Sequence, residues 1–462
     1  MGMCHPMARG ALLPVALLLC LALACGADAG RKTVGIYKLN TKKGDFSIRV
    51  TNWGATLMSV NVPDSRGNLA DVVLGYDTLA EYVDGSSAFG TVVGRVANRI
   101  ANGSFVIDGK TIRLNKDGTT VLHGGHRGFN RVIWTVKEYV PSGDSPYITL
   151  YYHSFDGEQG FPGDLDVYVT YQLGSPYHLS ARMNATALNK ATPVNLANHA
   201  YWNLAGHGSG DVLGQLIQVF ASRYTPVDKS MIPTGEVAPV SGTPYDLRWS
   251  TPLGSRIRLV SGAGMAGFDI NYAVDGAGFR KVARLRDPTS GRALELWADQ
   301  PGVQLYTSNW LSNVTGKGGS VYGQYGAVCL ETQGFPDAVH HPNFPSVIVR
   351  PGAAYRHDML FKVDGCNCNN DAAPALPGDG TPNAVHRAPY ACVSARSGSA
   401  DRERASMFRR YAALGHGATT ATTTIMPHAG HEAAPNIRPA SESSHRSSRK
   451  ERTLDGRPAA GI

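Results

Sequence analysis

The sequence predicts an all-β protein, a large antiparallel β-sandwich, and three observations carry that expectation. Short apolar or alternating runs recur between turn residues from about Arg31 to Val363. The 462-residue chain holds 53 glycines and 20 tyrosines, a composition that leans toward turns and strands. Convincing amphipathic helices are scarce, so one sandwich domain over residues 30–363 is the economical assignment.

Taken in order, residues 1–29 read as a secretory signal peptide. Arg9 precedes a Leu/Ala-rich run from Ala11 to Ala24, and Ala27-Asp28-Ala29 offers a small-x-small cleavage site. The run is short and interrupted for a membrane span, so a cleaved signal is expected over a retained N-terminal anchor, with no stable span after cleavage. Asn102-Gly103-Ser104, Asn184-Ala185-Thr186 and Asn313-Val314-Thr315 fit the glycosylation pattern, in keeping with a secreted, extracellular chain.

Phe105 to Ile107 and Lys110 to Leu114 flank Asp108-Gly109, a pair suited to a tight primed hairpin turn. Tyr147 to Tyr152 and Val167 to Leu173 read as strands. Lys281 to Arg286 and Arg292 to Trp297 flank Asp287-Pro288-Thr289-Ser290-Gly291, a hairpin with a longer turn. From residue 364 to 462, Ala, Pro, Gly, Ser, Thr, Arg and His displace the strand pattern. Such a tail cannot bury enough apolar surface to offset its ordering entropy, and it is expected to be disordered.

Composition also narrows the function. Of seven cysteines, Cys4, Cys20 and Cys25 leave with the signal, Cys366, Cys368 and Cys392 lie in the tail, and Cys329 stands alone in the domain. That excludes a disulfide scaffold. The formal charge of +8 draws in part on the basic tail, so it does not argue for nucleic acid, and no nucleic-acid partner is expected. Gly206 to Gly210 has no lysine after it and reads as a turn, not a phosphate loop. His340-His341 is read as having no carboxylate at ligand spacing, and no metal or cofactor is expected.

Five stretches concentrate polar groups beyond what strand packing requires. Thr192 to Gly206 is the densest, with Asn195, Asn198, His199, Tyr201, Trp202 and Asn203 mixing hydrogen-bonding groups, flat apolar faces and a titratable imidazole. A pyranose asks for that mixture. Val93 to Ile100 sets Asn98 and the guanidiniums of Arg95 and Arg99 among apolar residues, where a hydroxyl-binding fork and a structural ion pair are both open. His123 precedes Gly124-Gly125, which would permit a ligand to approach the backbone. Asp269 could accept from sugar hydroxyls or simply end a strand. Pro301 to Tyr306 and Val328 to Gln333 form the fifth, where Glu331 ends an apolar run and must be neutralised or kept for catalysis.

These motifs in this order, Gly94 to Ile100, Leu122 to Gly125, Thr192 to Gly206, Ile232 to Gly235, Gly267 to Asp269, Pro301 to Gln304 and Cys329 to Gln333, resemble the aldose 1-epimerase (galactose mutarotase) family from about Lys32 to Val363. The resemblance implies a β-sandwich of the galactose mutarotase type acting on free aldohexoses such as glucose and galactose without a cofactor. It implies Glu331 as general base and His199 as general acid. It places Asn98, Arg99, His123, Asp269 and Gln304 where the sugar is bound or the pair oriented. Ile270 departs from the pattern, since many members carry a histidine after the aspartate.

Elementary chemistry agrees with this expectation. Exchanging α and β anomers needs one group to take the C1 hydroxyl proton and another to protonate the ring oxygen. Glu331 and His199 can do this, with His199 held protonated by the carboxylate, and Trp202 and the asparagines forming a supporting wall. Three rivals share the residues. A non-catalytic carbohydrate-binding protein needs no acid and base, a hexose-6-phosphate 1-epimerase needs a cationic phosphate pocket, and a glycosidase needs a second carboxylate for the leaving group. A monomer is expected.

Overall fold

The computed structural model describes residues 33–364 apart from 86, 116–118 and 263. The expected signal segment and the tail beyond residue 364, with their cysteines, lie outside the described residues. Within them the chain is built from strands, and its two α-helices, Leu79–Asp84 and Leu253–Arg256, are one turn or slightly more.

Three sheets carry the architecture. The largest has nine strands in the order Thr135–Val140, Tyr147–Ser154, Leu165–Gly174, His178–Ala187, Ala354–Asp364, Ala293–Ala298, Arg280–Arg286, Leu216–Val219 and Thr251–Pro252. Every neighbouring pair in it is antiparallel. A six-stranded antiparallel sheet follows the order Tyr201–Trp202, Val328–Gln333, Gly302–Tyr306, Asp269–Ala273, Arg223–Thr225 and Ala238–Pro239. A five-stranded sheet is built on Ile36–Thr41, Ser47–Thr51 and Thr56–Pro63.

One apolar cluster is shared by all three. It contains Leu39, Ile48 and Val60 from the five-stranded sheet, Val167, Leu179 and Phe361 from the nine-stranded sheet, and Ile270, Leu305 and Leu330 from the six-stranded sheet. Sheet faces covered in this way exclude water, and their burial is the main favourable term in folding. The expected β-sandwich is the observed one.

Local expectations hold where turn chemistry is strong. Ser104–Ile107 pairs with Lys110–Arg113 across Asp108 at φ 51° and Gly109 at φ 75°, the two positive angles a primed turn demands. Arg280–Arg286 pairs with Ala293–Ala298, and the Asp287 N–H closes the turn on the Arg292 carbonyl at 2.9 Å. Tyr147–Ser154 and Leu165–Gly174 are neighbours in register. The domain's last strand runs to Asp364, one residue beyond the expected boundary.

Candidate active site

Antiparallel register decides which residues look into the site. Glu331 is paired with Gln304, and Gln304 with Asn271, so the three share one face of the six-stranded sheet. The period of two adds Cys329, Tyr306 and Asp269 to that face, and it turns Leu330, Thr332, Leu305 and Ile270 to the core. Val328–Gln333 is therefore buried at every position, core on one side and site on the other.

His199 reaches the same face from a separate segment. Ala197–Asn198 pairs with Val92–Val93, and Tyr201–Trp202 pairs with the start of the Glu331 strand through Tyr201 and Cys329. His199 Nε2 then lies 3.6 Å from Glu331 Oε1, with the side chains only 7% and 2% exposed. Among the described residues, Glu331 Oε2 and His199 Nδ1 have no hydrogen-bond partner. The imidazole lies flat on Tyr201, with centroids 5.0 Å apart and planes 16° apart, and meets Tyr306 edge-on at 6.4 Å.

Asn98 and His123 hold each other. The Asn98 N–H donates to His123 Nδ1 at 3.2 Å, and the His123 N–H donates to the Asn98 carbonyl at 2.9 Å. With Nδ1 accepting, the proton of the neutral ring sits on Nε2, which makes His123 a hydrogen-bond donor. Its ring meets His199 edge-on at 5.3 Å. Asn98 Oδ1 accepts from the Arg99 N–H at 2.9 Å, and Gln304 Nε2 donates to Asp269 Oδ1 at 2.7 Å. Asn98, Arg99, Asp269 and Gln304 line one cavity. All seven residues expected from the sequence are thus gathered in one place.

Burial sets the electrostatics. It pushes the Glu331 carboxyl well above its ordinary value; neighbouring Asp269 adds to the rise and the Arg99 charge opposes it. Asp269 is raised by burial against the pull of Arg99 and the Gln304 bond. His199 is pushed down to about 4 by burial, and His123 falls well below the usual imidazole range through burial, His199 and Arg99. The expected carboxylate support for a protonated His199 is outweighed, because desolvation penalises the imidazolium and the carboxylate alike. A single proton shared by the pair is therefore favoured on Glu331 over His199. His199, Cys329 and Glu331 set a nitrogen, a sulfur and an oxygen within 4.8 Å of one another. Burial raises the Cys329 thiol and the Glu331 carboxyl, which disfavours the ionised forms a cation would need from these two.

Four finer expectations are corrected. Trp202 is core, packed on Phe361 at 5.1 Å, because it alternates away from Tyr201. Among the asparagines, Asn195 clamps the backbone of Gly334 and Asn203 binds the carbonyls of Gly210 and Gly326, so both brace the chain rather than wall the imidazole. Gly124, at φ 89°, is required by the protein's own backbone, since a Cβ there would meet the Gly94 carbonyl oxygen at 1.9 Å. Asp337 supplies the carboxylate overlooked beside His340-His341, 2.7 Å from His340 Nδ1 and 3.5 Å from His341 Nε2. Asp337 also ties down the arginine strand, accepting from the Ala101 N–H at 3.0 Å and donating its own N–H to the Arg99 carbonyl at 3.1 Å.

The two arginines of one motif separate. Arg95 is 1% exposed and donates to Ser154, Pro162, Gly163 and Thr192, a structural role, whereas Arg99 acts on the site through its charge. Tyr201 and Tyr306 were given no role by the sequence. Their spacing of two from His199 and from Gln304 was the available signal.

The family pattern described as Aldose 1-epimerase matches residues 36–362. Human galactose mutarotase is 44% identical over 332 residues, covering 71% of this chain and 94% of that protein. Aldose 1-epimerase of Escherichia coli K12 is 33% identical over 327 residues, covering 69% and 93%. Among solved structures, an aldose epimerase homologue from Caenorhabditis elegans aligns with a TM-score of 0.67 at 29% identity, over 72% of this chain and all of that one. Galactose 1-epimerase from Lactobacillus acidophilus shares the fold, with a TM-score of 0.61 at 22% identity over 72% of this chain and 98% of that one.

Proposed function

The chain belongs to the aldose 1-epimerase family and is a mutarotase, and from that premise we propose how its residues interconvert the α and β anomers of free aldohexoses such as glucose and galactose. The observation that carries the reading is the buried His199–Glu331 pair at 3.6 Å, with Glu331 paired across the sheet to Gln304, which lines a small cavity together with Asn98, Arg99 and Asp269.

Glu331 takes the proton of the C1 hydroxyl. The oxygen's electrons form the C1 carbonyl, the bond from C1 to the ring oxygen breaks, and that oxygen takes the proton of His199 Nε2. Rotation about C1–C2 presents the other carbonyl face, and closure returns both protons. Arg99, the His123 Nε2–H, Asp269 and Gln304 hold the hydroxyls, while Asn98 fixes the His123 tautomer.

Proton count explains why burial serves this chemistry. Ionised Glu331 with protonated His199 and protonated Glu331 with neutral His199 hold the same number of protons. The second state is the one reached on ring opening, and it is the one burial favours. Arg99 pulls the other way. Burial and Arg99 thus act in opposite directions on the balance between these two one-proton states.

The site residues named here carry one cation, Arg99, which suits a free sugar better than a phosphorylated one. Polarimetry of fresh α-D-glucose, α-D-galactose and α-D-glucose 6-phosphate with the same enzyme tests this. The free hexoses should lose their excess rotation rapidly, and preference for the phosphate ester would overturn the reading.

We also propose that the chain passes through the secretory pathway and acts as a monomer. The first 29 residues support the former, and Asn313 offers an exposed acceptor at a bend just before the Val314–Thr315 strand, at φ 51° and near exposed Thr315. Asn184 by contrast sits within a strand between Tyr168 and Arg356. A glycosidase-sensitive mass shift of the secreted chain, lost in Asn313→Gln, would support this; an unprocessed chain retained in the cell would contradict it. The monomer rests on one chain supplying acid, base and sugar grip, and light scattering would test it.

A further inference from the structure

The acid and the base come from segments far apart in sequence, and their 3.6 Å separation has to be held. Two ties are direct. On one side of the pair, Asn195 grips Gly334 with both ends of its amide, accepting at 2.7 Å and donating at 3.1 Å. On the other, Tyr201 pairs with Cys329. Between them runs an indirect tie through the core. Thr332, next to Glu331 but turned to the opposite face, meets His357 Nε2 at 2.8 Å. His357 Nδ1 meets the Tyr355 hydroxyl at 3.2 Å. That hydroxyl accepts from the Leu196 N–H at 3.1 Å and donates to the Leu196 carbonyl at 3.4 Å, three residues before His199.

One proton arrangement satisfies every member. Thr332 donates to His357 Nε2, His357 Nδ1–H donates to Tyr355, and Tyr355 donates to Leu196 while accepting its N–H. His357 and Thr332 are fully buried, on the central Ala354–Asp364 strand and the Glu331 strand. Burial pushes His357 down to about 3, so the ring stays neutral and the chain keeps one proton pattern at working pH. A neutral imidazole with both nitrogens engaged is a rigid spacer, and a buried polar chain of this kind fixes geometry because breaking any link strands the others.

We infer that Thr332, His357 and Tyr355 form a strut through the sandwich core that sets the distance between Glu331 and His199, making them positioning residues for proton transfer. The inference rests on the acid–base roles proposed above. It predicts a loss mainly in turnover, because Asn98, Arg99, His123 and Asp269 come from elements the strut does not join, and Gln304, although its strand pairs with that of Thr332 through Val303, faces the opposite side of the sheet from Thr332. Misplacement of a reacting pair by about 1 Å costs on the order of 100-fold.

The test is a double-mutant cycle on the full chain with Thr332→Val and Tyr355→Phe, each removing a hydroxyl from the strut. Each should lower kcat about 10-fold with KM within about 2-fold, and the double variant should be hardly worse than either single, since one broken link already frees the strut. Thr332→Ser, which keeps the hydroxyl, should retain wild-type turnover. Unchanged kcat per folded molecule with only a lower Tm would overturn the inference, as would losses that multiply in the double variant. If Thr332→Val does not fold, His357→Gln, which offers a single amide in place of two ring nitrogens, replaces it in the comparison. Glu331→Gln run beside them separates the two readings: full activity there removes the acid–base assignment itself, whereas an inactive Glu331→Gln with active hydroxyl variants removes the strut alone.

Discussion

The ring of His199 rests on the ring of Tyr201, with centroids 5.0 Å apart and planes within 16° of parallel, while Phe89 and Tyr201 meet in a T-shaped contact with centroids 4.9 Å apart. This stack fixes the imidazole plane where neither hydrogen bond nor backbone does so. Tyr201→Phe keeps the ring and should leave turnover within about 3-fold, whereas Tyr201→Ala frees the imidazole and should cost on the order of 10–100-fold in kcat. Stopped polarimetric progress curves at saturating sugar give both numbers.

The pH dependence follows from the proton count. The pair works with one proton. As pH falls through about 4, His199 takes a second proton while Glu331 already holds one, no base remains, and turnover falls. As pH rises through the elevated Glu331 value, the pair loses its only proton and turnover falls again. A plateau between these limits is expected, measured as kcat against pH after subtraction of the buffer-catalysed rate.

Arg99 and Asp269 should move the alkaline limit in opposite directions. Arg99 lowers the Glu331 carboxyl, so Arg99→Met should shift that limit to higher pH; Asp269 raises it, so Asp269→Asn should shift it lower. Both changes should also raise KM by roughly 10-fold through lost sugar contacts. Equal shifts of the same sign would contradict the electrostatic account.

Gly124 is a packing requirement. A methyl group there would meet the Gly94 carbonyl oxygen at 1.9 Å and the Arg95 nitrogen at 2.6 Å, at a φ of 89° that side chains rarely adopt. Gly124→Ala should destabilise the domain by upwards of about 2 kcal/mol, read as a lowered Tm, and should weaken sugar binding through displaced His123.

The parts of this design legible in the sequence share a physical cause. Asp108-Gly109 announced its hairpin because few residues accept two positive φ angles, and Glu331 announced itself because a carboxylate in an apolar run is costly. The site residues were findable as clusters of chemistry, and the resemblance supplied their roles. What the sequence hid depended on register and depth. Nothing local says that Trp202 turns to the core while Tyr201 stacks on His199, or that Asn195 clamps Gly334. The direction of the His199 shift was also hidden, since it depends on how deeply the pair is buried and not on which carboxylate is near. Arg95 and Arg99 look alike within one motif and are separated only by the carbonyls that surround Arg95.

The most direct measurement is mutarotation of fresh α-D-glucose followed by polarimetry with Glu331→Gln. Gln fills the same volume and removes only the proton acceptor. Turnover should fall by about 10³-fold or more toward the buffer rate, while sugar affinity stays within a few-fold. A variant that retains most of the wild-type rate would contradict Glu331 as the base, and with it the one-proton pair on which the account depends.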